Sequence, residues 1–531
     1  MSIVTRVASL ESFLPRSSYP MGWIAWAWII WSIAITLVSF WGRRATVKAP
    51  VVGHRGVFEP TWLLRLRFIR GSRSILQNGY DEFKDSIFKI RKLGTDILML
   101  PSERIEELRS ITHDKESSVE PFMHDFAGEL TSGMAFLNSD LQNRVLQQKL
   151  VPALGLITRI MKTELDSAIL KEMPACEDWA EVAITPILTS IVARISARVF
   201  LGEDGPHNHE WLTTTAQYTE NLFKTGMLLR MVPTIIRPPV AHLLKPYRQL
   251  RRNRKAAHRI IGSIVQSRRA AETEQGVRYE KPTDILQWMT DMAVGKETDP
   301  ADLAQRMLIL SLSSIHTTAL TMTQALYDLI AFPQFIAPIE AEVTQALQQN
   351  HGWNKATLNQ FRKLDSLLKE SQRFNPIFLI TFNRILHQQV IFSDNTILYP
   401  GTRIAVPAYS MLHDQKKVPG PTSPSKFDPF RYSRLREDPT HPENAQKYQF
   451  AMVDTHNMAF GFGKHACPGR AYASDEIKMI LARMLLDYEW AFPNGQERPK
   501  NFTVDTDMYP DRSAKVLVRK RRASKENPIS M

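Results

Sequence analysis

A chain of 531 residues with 44% hydrophobic and 23% charged side chains can bury a large core, and nothing in its composition suggests a disordered or fibrous polymer. Its two cysteines, Cys176 and Cys467, lie far apart and exclude a disulfide framework or a zinc-type cysteine cluster, which fits a reducing, cytosol-facing compartment. The formal net charge of +13 is spread along the chain, with concentrations at Arg248 to Arg259 and Arg519 to Lys525; a basic helix face and a basic tail explain these better than a nucleic-acid footprint, and docking to an acidic protein or anionic lipid is a further reading.

A mostly polar lead, residues 1–20, precedes Met21 to Trp41, a stretch without a charged residue. As a helix it would reach roughly 30 Å, enough to span a bilayer. A cleaved signal peptide would show a basic start and a small-residue cleavage site, whereas bulky Phe40-Trp41 closes this stretch. Arg43, Arg44, Lys48 and Arg55 follow, so the positive-inside rule places the body in the cytosol behind a single-pass anchor. Residues 42–56 read as a basic, proline-containing hinge, residues 57–520 as the globular body and 521–531 as a basic tail. On this topology the sequon at Asn501-Phe502-Thr503 stays unmodified.

No period of 20 to 50 residues repeats in the body, which excludes solenoids and propellers. Helical patterning dominates, and the strand candidates are short: Ser86 to Arg91, Asp96 to Leu100, Val390 to Phe392, Arg403 to Pro407 and Lys515 to Arg519. The expected class is mainly α with a small β-sheet region. Met227 to Val240 is an apolar, proline-rich connection. One long helix is bracketed by Asp299-Pro300, an N-cap followed by proline at the first position, and by Phe332-Pro333. Its middle, Leu310 to Thr318, sets serine, threonine and histidine in an apolar helix, where hydroxyls either bond back to i−4 carbonyls or serve a ligand.

Near the C-terminus stands Phe460-Gly461-Phe462-Gly463-Lys464-His465-Ala466-Cys467-Pro468-Gly469-Arg470, followed by apolar residues at helical spacing. Cys467 therefore sits in a glycine-rich loop at a helix start, where backbone amides and the helix dipole stabilise a negative sulfur. A thiolate of this kind is one of the axial ligands known for haem iron.

These residues resemble the cysteine loop of the cytochrome P450 superfamily: Phe460, Gly463, His465, Cys467 and Gly469 fill every slot of its pattern. Glu370-Ser371-Gln372-Arg373 is similar to the family's Glu-x-x-Arg pair, and Phe427-Asp428-Pro429-Phe430-Arg431 to the segment whose arginine completes a buried triad. The long helix resembles the family's oxygen-binding helix, with two departures: Ser314 stands where glycine is usual, and His316 where an acid is. The threonine survives as Thr317.

The resemblance implies the P450 fold, a thiolate-ligated haem on Cys467, Thr317 and His316 as the proton-handling pair, and Glu370, Arg373 and Arg431 as structural. His316, with an unperturbed pKa near 6.5, would relay protons near neutral pH. The usual Trp-x-x-x-Arg pattern for a haem propionate is missing, Arg144 is the nearest cation there, and Arg384 and His465 are the better candidates by position. The family's reaction is a monooxygenation driven by NADPH through a separate reductase, with cytochrome b5 as an additional electron donor, on the endoplasmic reticulum membrane. Pocket walls would come from Pro121 to Phe126, Ile377 to Thr381 and Asp507 to Pro510, and Met227 to Val240 would dip into lipid, so an apolar small molecule is expected. The Ile-His-Thr-Thr variant and the Pro-Val-Val-Gly hinge resemble fungal members of terpenoid and indole-diterpenoid secondary-metabolite biosynthesis. Fatty acid or xenobiotic hydroxylation is the alternative within the family, and a haem-binding sensor without turnover the alternative outside it.

Overall fold

The computed structural model describes residues 47–522 except 57, 110, 113, 133 and 134. The expected span over Met21 to Trp41, its lead, part of the hinge and most of the basic tail lie outside the described residues.

Among the helices of the described residues are α1 (Thr61–Glu82), α2 (Glu120–Phe126), α3 (Leu154–Glu172), α4 (Ile184–Leu201), α5 (His209–Arg230), α6 (Lys245–Gln275), α7 (Pro300–Ala331), α8 (Arg362–Phe374), α9 (Arg431–Glu437) and α10 (Arg470–Asp487). Helix α7 begins where the sequence predicts: an Asp299 carboxylate oxygen accepts the Ala301 N–H at 2.9 Å and Pro300 takes the first position, where its missing N–H costs nothing. Its buried residues occupy every side of its C-terminal half, so it runs through the core rather than over it. Helices α4, α6, α8 and α10 all pack on it. Helix α4 is the one described helix long and apolar enough to cross a membrane, but most of it is buried against α3 and α7, which makes it a core helix.

The strands fall into four small sheets. The largest has the order β1 (Phe88–Lys92), β2 (Thr95–Met99), β8 (Arg403–Val406), β5 (Thr381–Leu386), β3 (Glu116–Ser117), with β2 and β8 parallel and the remaining pairs antiparallel. A second joins β4 (Ala180–Ala183), β12 (Lys515–Lys520) and β9 (Tyr488–Ala491); β6 (Val390–Ile391) pairs with β7 (Ile397–Leu398), and β10 (Phe502–Val504) with β11 (Asp507–Tyr509).

All five expected strands exist, shifted by a residue or two at their ends. Strand β5 was not expected, because it carries Arg384 at a buried position, and sequence patterning reads a charge as facing water. The apolar connection after α5 is partly helical, with a short helix over Arg237–Leu243 that holds Pro238 and Pro239 in its first turn, where proline is tolerated. Asn501 is held through both amide atoms: its Nδ2 donates to Asn375 Oδ1 at 2.7 Å and its Oδ1 accepts from Gln324 at 2.9 Å.

Candidate active site

The loop from Phe460 to Gly469 is shaped by two left-handed glycines, Gly461 at φ +77° and Gly463 at φ +63°. A Cβ on Gly461 would stand 3.0 Å from the His465 carbonyl oxygen, so both the conformation and the space exclude a side chain. The Cys467 N–H donates to the Phe460 carbonyl at 2.7 Å and closes the loop. Beyond it, Arg470 donates from Nη1 to the Cys467 carbonyl at 2.9 Å and opens α10. The Cys467 residue is solvent-accessible although many protein atoms surround its side chain. That crowding pushes the thiol pKa up, while the Gly469 and Arg470 N–H groups and the Arg470 charge oppose it. A Cβ built on Gly469 would meet nothing. No protein neighbour requires glycine there, and the open side leaves room for a flat group.

Helix α7 packs against α10, the helix that begins just after Cys467. Within its largely buried middle, Ser313 is exposed and Thr317 half-buried. The Ser311 and Ser313 hydroxyls donate to the Met307 and Ile309 carbonyls, both at 2.8 Å, and Thr317 Oγ1 donates to the Ser313 carbonyl at 2.6 Å. The back-bonding expected of helix hydroxyls is therefore present, yet the Thr317 oxygen keeps its lone pairs for a further donor. Ser314, at the position where glycine is usual, meets Ser196 of α4 at 3.3 Å between hydroxyl oxygens.

His316 is where the expectation changes. Burial, aided by the Arg512 charge and opposed by Glu220, lowers its pKa to about 4, and its Nε2 has no hydrogen-bond partner among the described residues. At neutral pH the ring is uncharged, so it can pass a proton only as a neutral imidazole.

A second polar cluster lies where β3 pairs with β5. A register shift between Thr381 and Arg384, with Phe382 at φ +52°, bulges β5 and re-aims the arginine. Arg384 is 4% exposed; its Nη1 donates to the Asn383 carbonyl at 2.8 Å, while Nε and Nη2 have no hydrogen-bond partner among the described residues. Burial lowers its pKa to about 10, and it stays charged at neutral pH. Both ring nitrogens of His465 are engaged, Nδ1 with Ser118 Oγ and Nε2 with Glu116 Oε1, each at 3.1 Å. Arg144 is committed elsewhere, to Asp140 at 3.0 Å and Glu297 at 3.0 Å. Sequence reading missed Glu116 and Ser118, because nothing in Lys115-Glu116-Ser117-Ser118 distinguishes them from a solvated turn.

Between α8 and α9, the structure brings Glu370, Arg373 and Arg431 together without exposure to solvent. Arg373 donates to both Glu370 oxygens at 2.8 Å, and Arg431 Nε lies 3.3 Å from each. The remaining guanidinium N–H groups go to carbonyls: Arg373 to Leu412 at 2.8 Å, Arg431 to Thr422 at 2.6 Å. The Asp428 N–H adds a bond to Glu370 at 3.0 Å. A buried charge set of this kind persists when every donor is satisfied.

An accessible thiol at a helix start, an open cradle at Gly469 and a buried cation with two unused N–H donors make a donor set that suits a flat iron macrocycle bearing carboxylates. Comparison with known proteins agrees: the family described as Cytochrome P450 matches residues 78–517. The chain belongs to the cytochrome P450 family. It is accordingly a haem-thiolate-dependent monooxygenase with the mainly helical fold of that family. Over 497 residues it is 55% identical to an ent-kaurene oxidase of Gibberella fujikuroi, an alignment covering 93% of this chain and 96% of that one. A cytochrome P450 monooxygenase of Emericella nidulans is 44% identical, covering 92% of this chain and 90% of its own. Another, from Penicillium canescens, is 41% identical, covering 93% and 94%.

Proposed function

We propose that this chain oxidises C–H bonds of ent-kaurene or a related apolar terpenoid, with Cys467 as the haem iron ligand. The carrying observation is 55% identity to an ent-kaurene oxidase along 93% of the chain. When bound, the haem supplies oxygen activation and C–H oxidation, with electrons from NADPH through a separate reductase. The chain's own residues divide the rest. The loop closed by Cys467 N–H to Phe460 O at 2.7 Å holds the cysteine at the start of α10. Arg384 offers its two unpartnered N–H groups to a haem carboxylate. His465 holds Glu116 beside that arginine, so the local charge stays balanced. From α7, Thr317 would hold a proton or a water at the free lone pairs of Oγ1, and His316 would pass protons as a neutral imidazole.

The membrane reading joins two features: the uncharged stretch Met21 to Trp41, and apolar side chains left in solvent at the N-terminal part of α1 and in the connection after α5. They support a single-pass protein of the endoplasmic reticulum with its catalytic domain in the cytosol.

The test is co-expression with a fungal NADPH-dependent reductase in yeast microsomes, with ent-kaurene supplied. Oxidised ent-kaurene, formed only with NADPH, is the expected result. Microsomes that show the red-shifted Soret band of the reduced, CO-treated protein but leave ent-kaurene and related terpenoids untouched would refute the substrate class.

A further inference from the structure

Helix α6 buries Tyr247, Leu250, Asn253, Ala257 and Ile261 against the body. The opposite face carries Lys245, Arg248, Arg251, Arg252, Lys255 and Arg259, all exposed. Positions 245, 248, 252, 255 and 259 recur at helical spacing, so the charges form one stripe about 21 Å long. Among the described residues only Arg259 has an acidic partner, Glu210. Apart from Arg259, these charges repel one another and meet no acidic partner among the described residues, which leaves the stripe to an external anion.

The chain immediately before the stripe indicates which anion. Met231, Ile235, Ile236 and Leu243 stand exposed between α5 and α6, Ile235 at 87% and Leu243 at 78%. An apolar tip that runs into a basic face is the pattern of a surface resting at a lipid headgroup boundary. An electron-donating protein is the poorer occupant. Helix α6 packs on α5 and α7, whereas the cysteine helix α10 packs on α7, α3 and α8, so the stripe and the cysteine loop belong to different helices that share α7 as a neighbour.

We infer that the basic face of α6 docks on anionic phospholipid and holds the body flat against the membrane, with the apolar tip in the lipid. This rests on the membrane reading above and adds a lipid preference and an orientation to it. Surface attraction fades within about 8 Å at physiological salt. A 21 Å stripe engages all its charges only if α6 lies parallel to the bilayer.

The test places the full-length haem protein in nanodiscs of phosphatidylcholine, with or without phosphatidylserine, and measures acetylation of Lys245 and Lys255 by mass spectrometry, with exposed Lys447 as the reference. Both lysines should be protected only in the anionic discs, and protection should vanish at high salt. Arg248→Gln combined with Arg252→Gln should weaken that protection by about fivefold per charge removed, with an unchanged CO spectrum. Equal labelling in both discs overturns the inference, as does protection that requires an added soluble acidic electron donor. The anchor is judged separately: protein that stays with both discs without lysine protection refutes only the stripe, and protein held by anionic discs alone refutes only the span.

Discussion

Arg384 Nε stands 3.7 Å from Glu116 Oε2, near enough for the charges to attract but too far for a hydrogen bond. A buried guanidinium with spare donors and one loosely held carboxylate is prepared for a second anion. Arg384→Gln should therefore speed haem loss from the folded protein by about 10- to 100-fold, the equivalent of roughly 1.5–3 kcal/mol for a charged hydrogen bond. Haem transfer to apomyoglobin measures this rate, and an unchanged rate would show that Arg384 does not hold the group.

Cys467→Ala should abolish the red-shifted band of the reduced, CO-treated protein together with turnover. Thr317→Ala is expected to keep that band while NADPH consumption is diverted to hydrogen peroxide. Tightly coupled product formation by the threonine variant would exclude Thr317 as the proton gate.

Glu370→Gln leaves Arg373 and Arg431 buried without their shared anion. Stranding buried charge costs about 3–5 kcal/mol. A clear fall in the urea midpoint of unfolding is expected, along with poor haem incorporation on expression, and wild-type stability would remove the triad from the fold's supports.

Burial holds His316 near pKa 4, whereas an unfolded histidine titrates near 6.5. Between those values the unfolded chain binds more protons, so the contribution is fully present above pH 6.5 and is lost as pH falls toward 4. His316→Gln should flatten the acid limb of stability in that window, measured as urea midpoints from pH 4 to 7. The pH profile of turnover should show no inflection near 6.5 that the variant removes. Either observation reversed would return His316 to an ordinary solvated imidazole.

Glu476 on α10 carries the opposite sign. It is fully buried, its Oε1 accepts from Tyr472 at 3.1 Å, and desolvation raises its pKa to about 8. The folded state holds that proton where an unfolded glutamate has released it, so stability is lost as pH rises from about 4.5 to 8. Glu476→Gln imitates the protonated form and should gain on the wild type steadily from pH 5 to pH 8 in thermal melting. Parallel melting curves across that range would refute the protonated carboxyl.

The sequence by itself determined what local chemistry decides. Asp299-Pro300 set the start of α7, the glycines and Cys467 defined a loop at a helix start, and Glu370 with Arg373 is an i,i+3 pair that any helix would bring together. Tertiary structure decided the environment of the charges. Arg384 meets Glu116 only because β5 pairs with β3, and Arg431 reaches Glu370 only because α9 packs on α8. The shifted pKa of His316 exists only because the fold removes water from it. Residue type and spacing along the chain fix backbone preference and donor identity, whereas burial and long-range partners set the free energy of charge, and those arise only when distant segments meet.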